Sequence, residues 1–463
     1  MTEELKTQLS QFLQYLAESI DIPDNLYERA ERRYQSIGDW LDREASSVAN
    51  HEPNIYAQGS FRIGTVVKPI TDSDEYDIDL VCELNLSKQQ VTQKQLKSLV
   101  GNELISYADA HGMKEPVKEG RRCWTLDYAD DARFHMDVLP AVPDGESFRF
   151  LLESCDRSSP YQDTAIAITD NTHPNYDRVS DDWLRSNPKG YAAWFRDRMK
   201  PQFEARRRAL AESLRASVED IPEYRVKTPL QQAIQLLKRH RDMSFVDDAE
   251  DKPISIIITT LAAHSYNNEA DLLETMIGIV DGMPKHIRTR DGHAWIPNPV
   301  NPLENFADKW REHPERETKF RDWLKQVRAD LNEALLDDDI HSAAQTFVPR
   351  FGQRSVDEAL RQFPELVSRS KKTISEELQP SDRFNVPWRE TPSWQMALSH
   401  SAEVSGKYKC GGRWNPFASY SCPLPKNCDL LFKAKTNVPT PFEVYWQVVN
   451  TGEQAQSANH LRG

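Results

Sequence analysis

From Tyr76 to Leu84 the chain reads YDIDLVCEL, a β-type run in which acidic and apolar positions alternate. Side chains two apart on a strand share a face, so Asp77 and Asp79 project together while Ile78, Leu80 and Cys82 point to the other side. A second run, RFHMDVLPAV at 133–142, carries Asp137 between Met136 and Val138 in the same way. The chain must therefore build a sheet with one apolar, buried face and one face that gathers carboxylates.

Carboxylates a few ångströms apart repel and raise each other's pKa unless a cation lies between them. A divalent ion meets that need. Magnesium, or manganese in its place, takes oxygen ligands, typically one or two carboxylates together with substrate phosphates. An Asp-x-Asp pair alone ordinarily marks the wet face of an edge strand; a third strand-borne acid at Asp137 reverses that reading. Asp77, Asp79 and Asp137 are thus the candidate metal-binding and catalytic set, enough for two ions that share one carboxylate and need another ligand on the side of an attacking hydroxyl. Ser60 stands seventeen residues before Asp77, and the Gly59-Ser60 turn offers backbone N–H groups and a hydroxyl suited to triphosphate oxygens.

The rest of the chain sorts by texture. Residues 4–20 and 25–48 show two amphipathic helical patterns, and a sheet-bearing region follows to about 150, including CWTLDY at 123–128. Helical patterns return between 190 and 375, with PLQQAIQLLKRHRD at 229–242 and PISIIITTLAAHSY at 253–266. The Pro-rich WIPNPVNPL at 295–303 is expected to be a loop, because proline removes donors. A polar stretch at 366–393 predicts a boundary near 380, and FEVYWQVVN at 442–450 predicts a strand beyond it. At 463 residues two or three domains are expected. The expected division is 1–190 for N-terminal helices and catalytic core, 191–380 for a helical lobe closing the cleft, and 381–463 for a partial β-rich module.

Several function classes are set aside by the bulk properties. A formal charge of -14 opposes constitutive nucleic-acid binding, which draws its affinity from Lys and Arg neutralising phosphates. No apolar run is long enough to span a bilayer and the first residues are no secretory signal, so the cytoplasm is the expected location. Six scattered cysteines without a CxxC pair read as reduced thiols.

Taken together, these motifs resemble the GS…DxD…D nucleotidyltransferases of the DNA polymerase β superfamily. The sequence is most similar there to bacterial relatives of cyclic GMP-AMP synthase and oligoadenylate synthase, the cyclic-oligonucleotide synthases of antiphage signalling. The matching stretches are AQGSFRIGT at 57–65, DEYDIDLVCEL at 74–84, FHMDVLPAVP at 134–143, TPLQQAIQLLKRHRD at 228–242, SIIITTLAA at 255–263 and NPVNPLENFADKW at 298–310. The resemblance implies a bilobed α+β fold and an enzyme that makes cyclic di- or oligonucleotides from ATP, GTP or other nucleoside triphosphates for a downstream effector. It implies that Gly59 and Ser60 hold the donor triphosphate, that Asp77 and Asp79 bind both metals, and that Asp137 binds the one activating the acceptor hydroxyl. It places Lys238 and Ser255 at donor phosphates; the alternative for Lys238 is a solvated helix residue, and Ser255 is equally a helix N-cap. A transferase acting on a protein, an RNA end or a small molecule would share every carboxylate, and a catalytically inactive nucleotide sensor would share the fold.

The segment from Leu430 to Gly463 resembles the start of a sensor domain fused to such synthases, and it stops where the family pattern continues with further strands. Cys410, Cys422, Cys428 and His400 match no common zinc spacing and read as structural residues. Arg206, Arg207 and Arg208 read as a solvated helix face. The final Leu461-Arg462-Gly463 is accounted for by the sensor likeness rather than by conjugation.

Overall fold

The computed structural model describes residues 3–71, 76–128, 134–214, 217–363, 402–410, 413–417 and 429–436. The chain divides into two units, 1–370 and 371–463.

In the first unit the two opening patterns become α1 (Glu3–Ser19) and α2 (Asp24–Asp42). They serve different cores. Leu5, Leu9, Phe12, Leu13 and Leu16 of α1 are buried among the helices of the second half, whereas Ala30, Ile37 and Leu41 of α2 pack with the sheet. The helical lobe therefore draws on both ends of the unit. Helix α2 stops at Asp42 rather than near 48 because the following turn is tied down: Arg43 Nη1 lies 2.7 Å from Glu103 Oε2, and the Ser47 N–H donates to Glu103 Oε1 at 2.7 Å.

The sheet comprises β1 (Asn54–Ala57), β2 (Tyr76–Glu83), β3 (Lys118–Glu119), β4 (Trp124–Tyr128), β5 (Phe134–Pro143), β6 (Ile166–Ile168) and β7 (Leu184–Ser186). The main path is β1-β2-β5-β4-β3, with β6 continuing from β5 and carrying β7. Strands β2 and β5 pair in parallel and every other pairing in this sheet is antiparallel. The alternation behaves as the residues require: Ile78, Leu80, Cys82, Met136 and Val138 are buried together on one face. Between β1 and β2 lies the short α3 (Gly59–Arg62). Two longer helices complete this half, α4 (Gln93–Ala110) and α5 (Gly145–Ser154). Helix α4 starts on a reciprocal capping box between Thr92 and Gln95.

The helical lobe holds α6 (Pro188–Leu214), α7 (Pro229–Ser244), α8 (Ser255–Ser265), α9 (Leu272–Gly282) and α10 (Pro314–Leu336). Shorter helices α11 (Ile340–Gln345), α12 (Val348–Phe351) and α13 (Gln353–Arg361) follow. Helix α7 is buried from Pro229 through Arg241, which its polar residues would forbid unless each found a partner. For Gln231, Gln235 and Arg239 those partners include main-chain carbonyls just after α3. Gln231 Nε2 donates to Ile63 O at 2.9 Å and Gln235 Nε2 to Val66 O at 2.7 Å, while Arg239 Nη2 donates to Lys68 O. One face of α7 thus fixes the backbone that leads from the Gly-Ser turn toward β2.

Two readings from sequence change. The Pro-rich stretch is not a plain loop: β8 (Arg288–Arg290) pairs with β9 (His293–Trp295), and β10 (Pro297–Asn298) with β11 (Asn301–Asn305). Asparagine side chains supply bonds where prolines cannot. Asn305 Oδ1 accepts from the Ile296 and Ala307 N–H groups at 2.8 and 3.0 Å, and its amide donates to Ala294 O. The arginine run on α6 is only partly solvated. Arg206 donates to Lys227 O and Gln232 Oε1, and Arg207 to Ile221 O, so both guanidiniums tie neighbouring loops, while Arg208 is exposed.

In the second unit β12 (Ala402–Cys410) is flanked by β13 (Arg413–Phe417) and β14 (Asp429–Thr436), all antiparallel. The expected boundary near 380, the strand at 442–450, and His400, Cys422 and Cys428 lie outside the described residues.

Candidate active site

The parallel register of β2 and β5 sets Asp79 directly beside Asp137 and Asp77 beside His135. Alternation then turns all three aspartates to the same face. Ligand oxygens of Asp77, Asp79 and Asp137 lie within 4.8 Å of one another, Asp77 exposed and the other two partly buried. The electrostatic consequence is visible in the carboxyls. Burial, then Asp77 and Asp137, push Asp79 up to about 6, and burial followed by Asp137 raises Asp77 as well. Three clustered carboxylates, two of them held back from ionising, fit a divalent cation of the magnesium type.

Asp137 is oriented by its neighbours. Thr125, its partner across the β4–β5 ladder, donates from Oγ1 to Asp137 Oδ1 at 2.5 Å. His135 Nε2 lies 3.4 Å from the same oxygen, and its Nδ1 lies 2.8 Å from Asp127 Oδ1. Both contacts fall on one oxygen. Sequence reasoning passed over Thr125, although it sits in the CWTLDY strand that alternation identifies.

The Gly-Ser turn approaches this face closely. Gly59 has φ +59° and opens α3, and a β-carbon there would lie 2.6 Å from Asp79 Oδ2. Only glycine fits both conditions. The Gln58 N–H donates to Asp79 O at 2.8 Å, so the turn is pinned to β2 through its backbone. Ser60 then lines a cavity of about 550 Å³ together with Thr65, Asp77, Lys238, Arg241 and Ser255.

Lys238 is no solvated residue: it is 5% exposed, and its Nζ donates to Thr65 O at 3.0 Å and Thr65 Oγ1 at 3.1 Å. Burial, then the nearby Arg241, lower its ammonium to about 7. Ser255 is not the cap of α8. That position is held by Ile254, and the Ser255 hydroxyl instead accepts from Arg241 Nη1 at 2.9 Å. The five sequence-derived residues Ser60, Asp77, Asp79, Lys238 and Ser255 thus converge, Asp79 through its contact with the Gly59 turn and the rest on the cavity wall. Asp137 joins them through the carboxylate cluster.

A mixed sheet presenting three carboxylates beside a Gly-Ser turn, with a helical lobe packed against that turn, is a nucleotidyltransferase core of the DNA polymerase β kind. Residues 53–140 match the family of cyclic GMP-AMP synthase DncV-like nucleotidyltransferase domains, and residues 383–463 match the adenylyl/guanylyl and SMODS C-terminal sensor domain. The chain is 31% identical over 373 residues to a c-di-GMP synthase of Roseivirga ehrenbergii, covering 80% of this chain and 91% of that one. It is 24% identical over 381 residues to the cyclic dinucleotide synthase CdnG of Bradyrhizobium diazoefficiens, covering 78% and 84%. This protein belongs to the DncV-like nucleotidyltransferase family.

The fold agrees. The structure of the Bradyrhizobium diazoefficiens enzyme CdnG in complex with GTP superposes with a TM-score of 0.57 over 76% of this chain and 97% of that one, at 24% identity. The CdnC subunit of a CdnC–HORMA complex from Escherichia coli MS115-1 gives 0.51 at 12% identity, covering 74% and 96%. Among the described residues no helix is long and apolar enough to cross a membrane.

Proposed function

We propose that this protein joins nucleoside triphosphates, ATP, GTP or both, through their sugar hydroxyls into a cyclic di- or oligonucleotide, a second messenger of antiphage defence read by a downstream effector in the cytoplasm. The observation that carries this reading is the convergence of Asp77, Asp79 and Asp137 within 4.8 Å beside a cavity lined by Ser60, Lys238 and Ser255. The names of the two relatives, both cyclic dinucleotide synthases, support the cyclic product.

Asp77, Asp79 and Asp137 would hold magnesium, or manganese in its place. When bound, the cation lowers the pKa of the attacking hydroxyl and offsets charge on the triphosphate. The protein's own part is positioning. The Gly59-Ser60 turn presents backbone N–H groups and a hydroxyl to the donor phosphates, and Lys238, buried and held by Thr65, offers an ammonium there that the charge of bound phosphates favours. Asp137, on a separate strand from the other two acids, faces the acceptor hydroxyl. Each transfer forms one phosphodiester bond at the donor's α-phosphorus and breaks its α–β anhydride, releasing pyrophosphate; in the closing step the free hydroxyl of the linear product attacks that product's own triphosphate. The 381–463 segment serves as a sensor module rather than as part of the chemistry.

The test is incubation of the purified protein with labelled nucleoside triphosphates and magnesium, with no other acceptor added. Cyclic products resolved by mass spectrometry support the reading. Transfer that occurs only after a protein, RNA or small molecule is supplied replaces it with the acceptor-modifying alternative.

A further inference from the structure

Arg241 is a buried cation that sequence reasoning left as a neighbour of Lys238. It is 7% exposed and lines the same cavity as Ser60, Lys238 and Ser255. Its guanidinium is almost fully committed. Nη1 donates to Pro253 O at 3.0 Å and to Ser255 Oγ at 2.9 Å, while Nε and Nη2 donate to Asp242 Oδ1 at 3.0 and 2.8 Å. Lys252 Nζ adds a further cation 3.4 Å from that same Asp242 oxygen. Four of the five N–H donors of an arginine are thereby used, so this side chain is anchored rather than free to swing onto a ligand.

The consequence falls on Ser255. A hydroxyl has one proton to give and two lone pairs to accept with, and its rotation is ordinarily unrestricted. With one lone pair occupied by the Arg241 N–H, the Ser255 proton must point away from the guanidinium. The serine is the first residue of α8 and makes no cap bond of its own, so no N–H of that helix competes for the oxygen through a cap bond.

We propose that Arg241, anchored by Asp242 and Pro253, is a positioning residue that aims the Ser255 hydroxyl as a donor toward the phosphates of the bound nucleoside triphosphate. The inference rests on the reading of this cavity as the donor-nucleotide site. Lysine cannot replace the arginine, because one ammonium cannot span Pro253, Ser255 and Asp242 with the geometry of a planar fork.

The test measures the affinity of nonhydrolysable GTP with magnesium, with the ATP analogue in parallel, for wild type, Ser255→Ala, Arg241→Lys and the double variant, each checked by thermal melting. Each single change is expected to weaken binding about tenfold, as loss of a charge-assisted hydrogen bond does. KM should rise with kcat at saturation nearly unchanged. The double variant should bind no more weakly than the weaker single one, because both remove the same contact. Asp242→Asn keeps the guanidinium but loosens its anchor; it should weaken binding in the wild-type background and have no effect on Ser255→Ala, and it carries the test if Arg241→Lys does not fold.

Unchanged affinity in folded Arg241→Lys overturns the proposal, as does a double variant whose losses multiply to about a hundredfold. Ser60→Ala and Lys238→Met separate this from the reading beneath it. If they weaken binding while Ser255→Ala does not, only the role of Arg241 fails; if they too leave affinity intact, the donor site lies elsewhere.

Discussion

Gly59 and Asp79 are so close that a β-carbon on the glycine would lie 2.6 Å from Asp79 Oδ2. The turn proposed to face the donor phosphates thus packs directly against the carboxylate cluster, and the Gln58 N–H bond to Asp79 O links the two. Gly59→Ala is therefore expected to displace Asp79 and to strain a backbone at φ +59°. The cost should be at least about 1 kcal/mol of stability, larger than an ordinary Gly→Ala change at a permissive site. Divalent-ion affinity should fall in parallel. Thermal melting and a manganese titration on one preparation check both; a variant that keeps wild-type stability and affinity would show that the close approach is not maintained.

The raised carboxyl of Asp79 gives a pH signature. Its pKa is about 6 in the fold against about 4 in an unfolded chain, so the folded state binds the proton more tightly. The associated stability is complete below about pH 4 and is lost as the pH rises through about 6. Metal-free Asp79→Asn escapes that loss. It should melt above wild type near pH 8, with the gap closing toward pH 4, and magnesium should raise the melting point of wild type but not of the variant. A gap that widens at low pH would reverse the sign and exclude the argument.

Asp137 receives both Thr125 and His135 on Oδ1, leaving Oδ2 as the oxygen those contacts do not use. Asp137→Asn should keep near-wild-type affinity for a nonhydrolysable triphosphate and lose turnover by about a hundredfold, the pattern of an interaction made mainly in the transition state. If the residue is structural, melting temperature drops and turnover per folded molecule stays normal.

Residues 381–463 are expected to be dispensable for bond formation, since every candidate catalytic side chain precedes residue 260 and the first unit has its own cores. A chain ending at residue 380 should still form product. If it folds but binds no triphosphate, the division of labour is wrong.

Much of the site was legible because it obeys local rules. Strand alternation alone turned Asp77 and Asp79 one way and Ile78 and Leu80 the other, and it did the same around Asp137. The register that places Asp79 beside Asp137 is a tertiary pairing between segments 58 residues apart, and no local pattern encodes it. The burial of Lys238 was hidden for a related reason. Its face of α7 looks polar, but the partners are carbonyls of residues 63–69, and a backbone acceptor leaves no mark in the sequence. Arg206 and Arg207 were misread likewise, because most of their acceptors are also main-chain oxygens. In the Pro-rich hairpin, asparagine side chains stand in for missing ladder bonds, a substitution that composition alone does not reveal.

The most direct test of the account is product analysis by mass spectrometry for wild type and the Asp77→Asn, Asp79→Asn double variant, each given all four nucleoside triphosphates with magnesium. Metal-free melting is measured on the same preparations. The account predicts a cyclic nucleotide from wild type and none from the double variant, whose melting point should equal or exceed wild type because two mutually repelling carboxylates, one of them partly buried, are gone. Normal product from a folded double variant would contradict it.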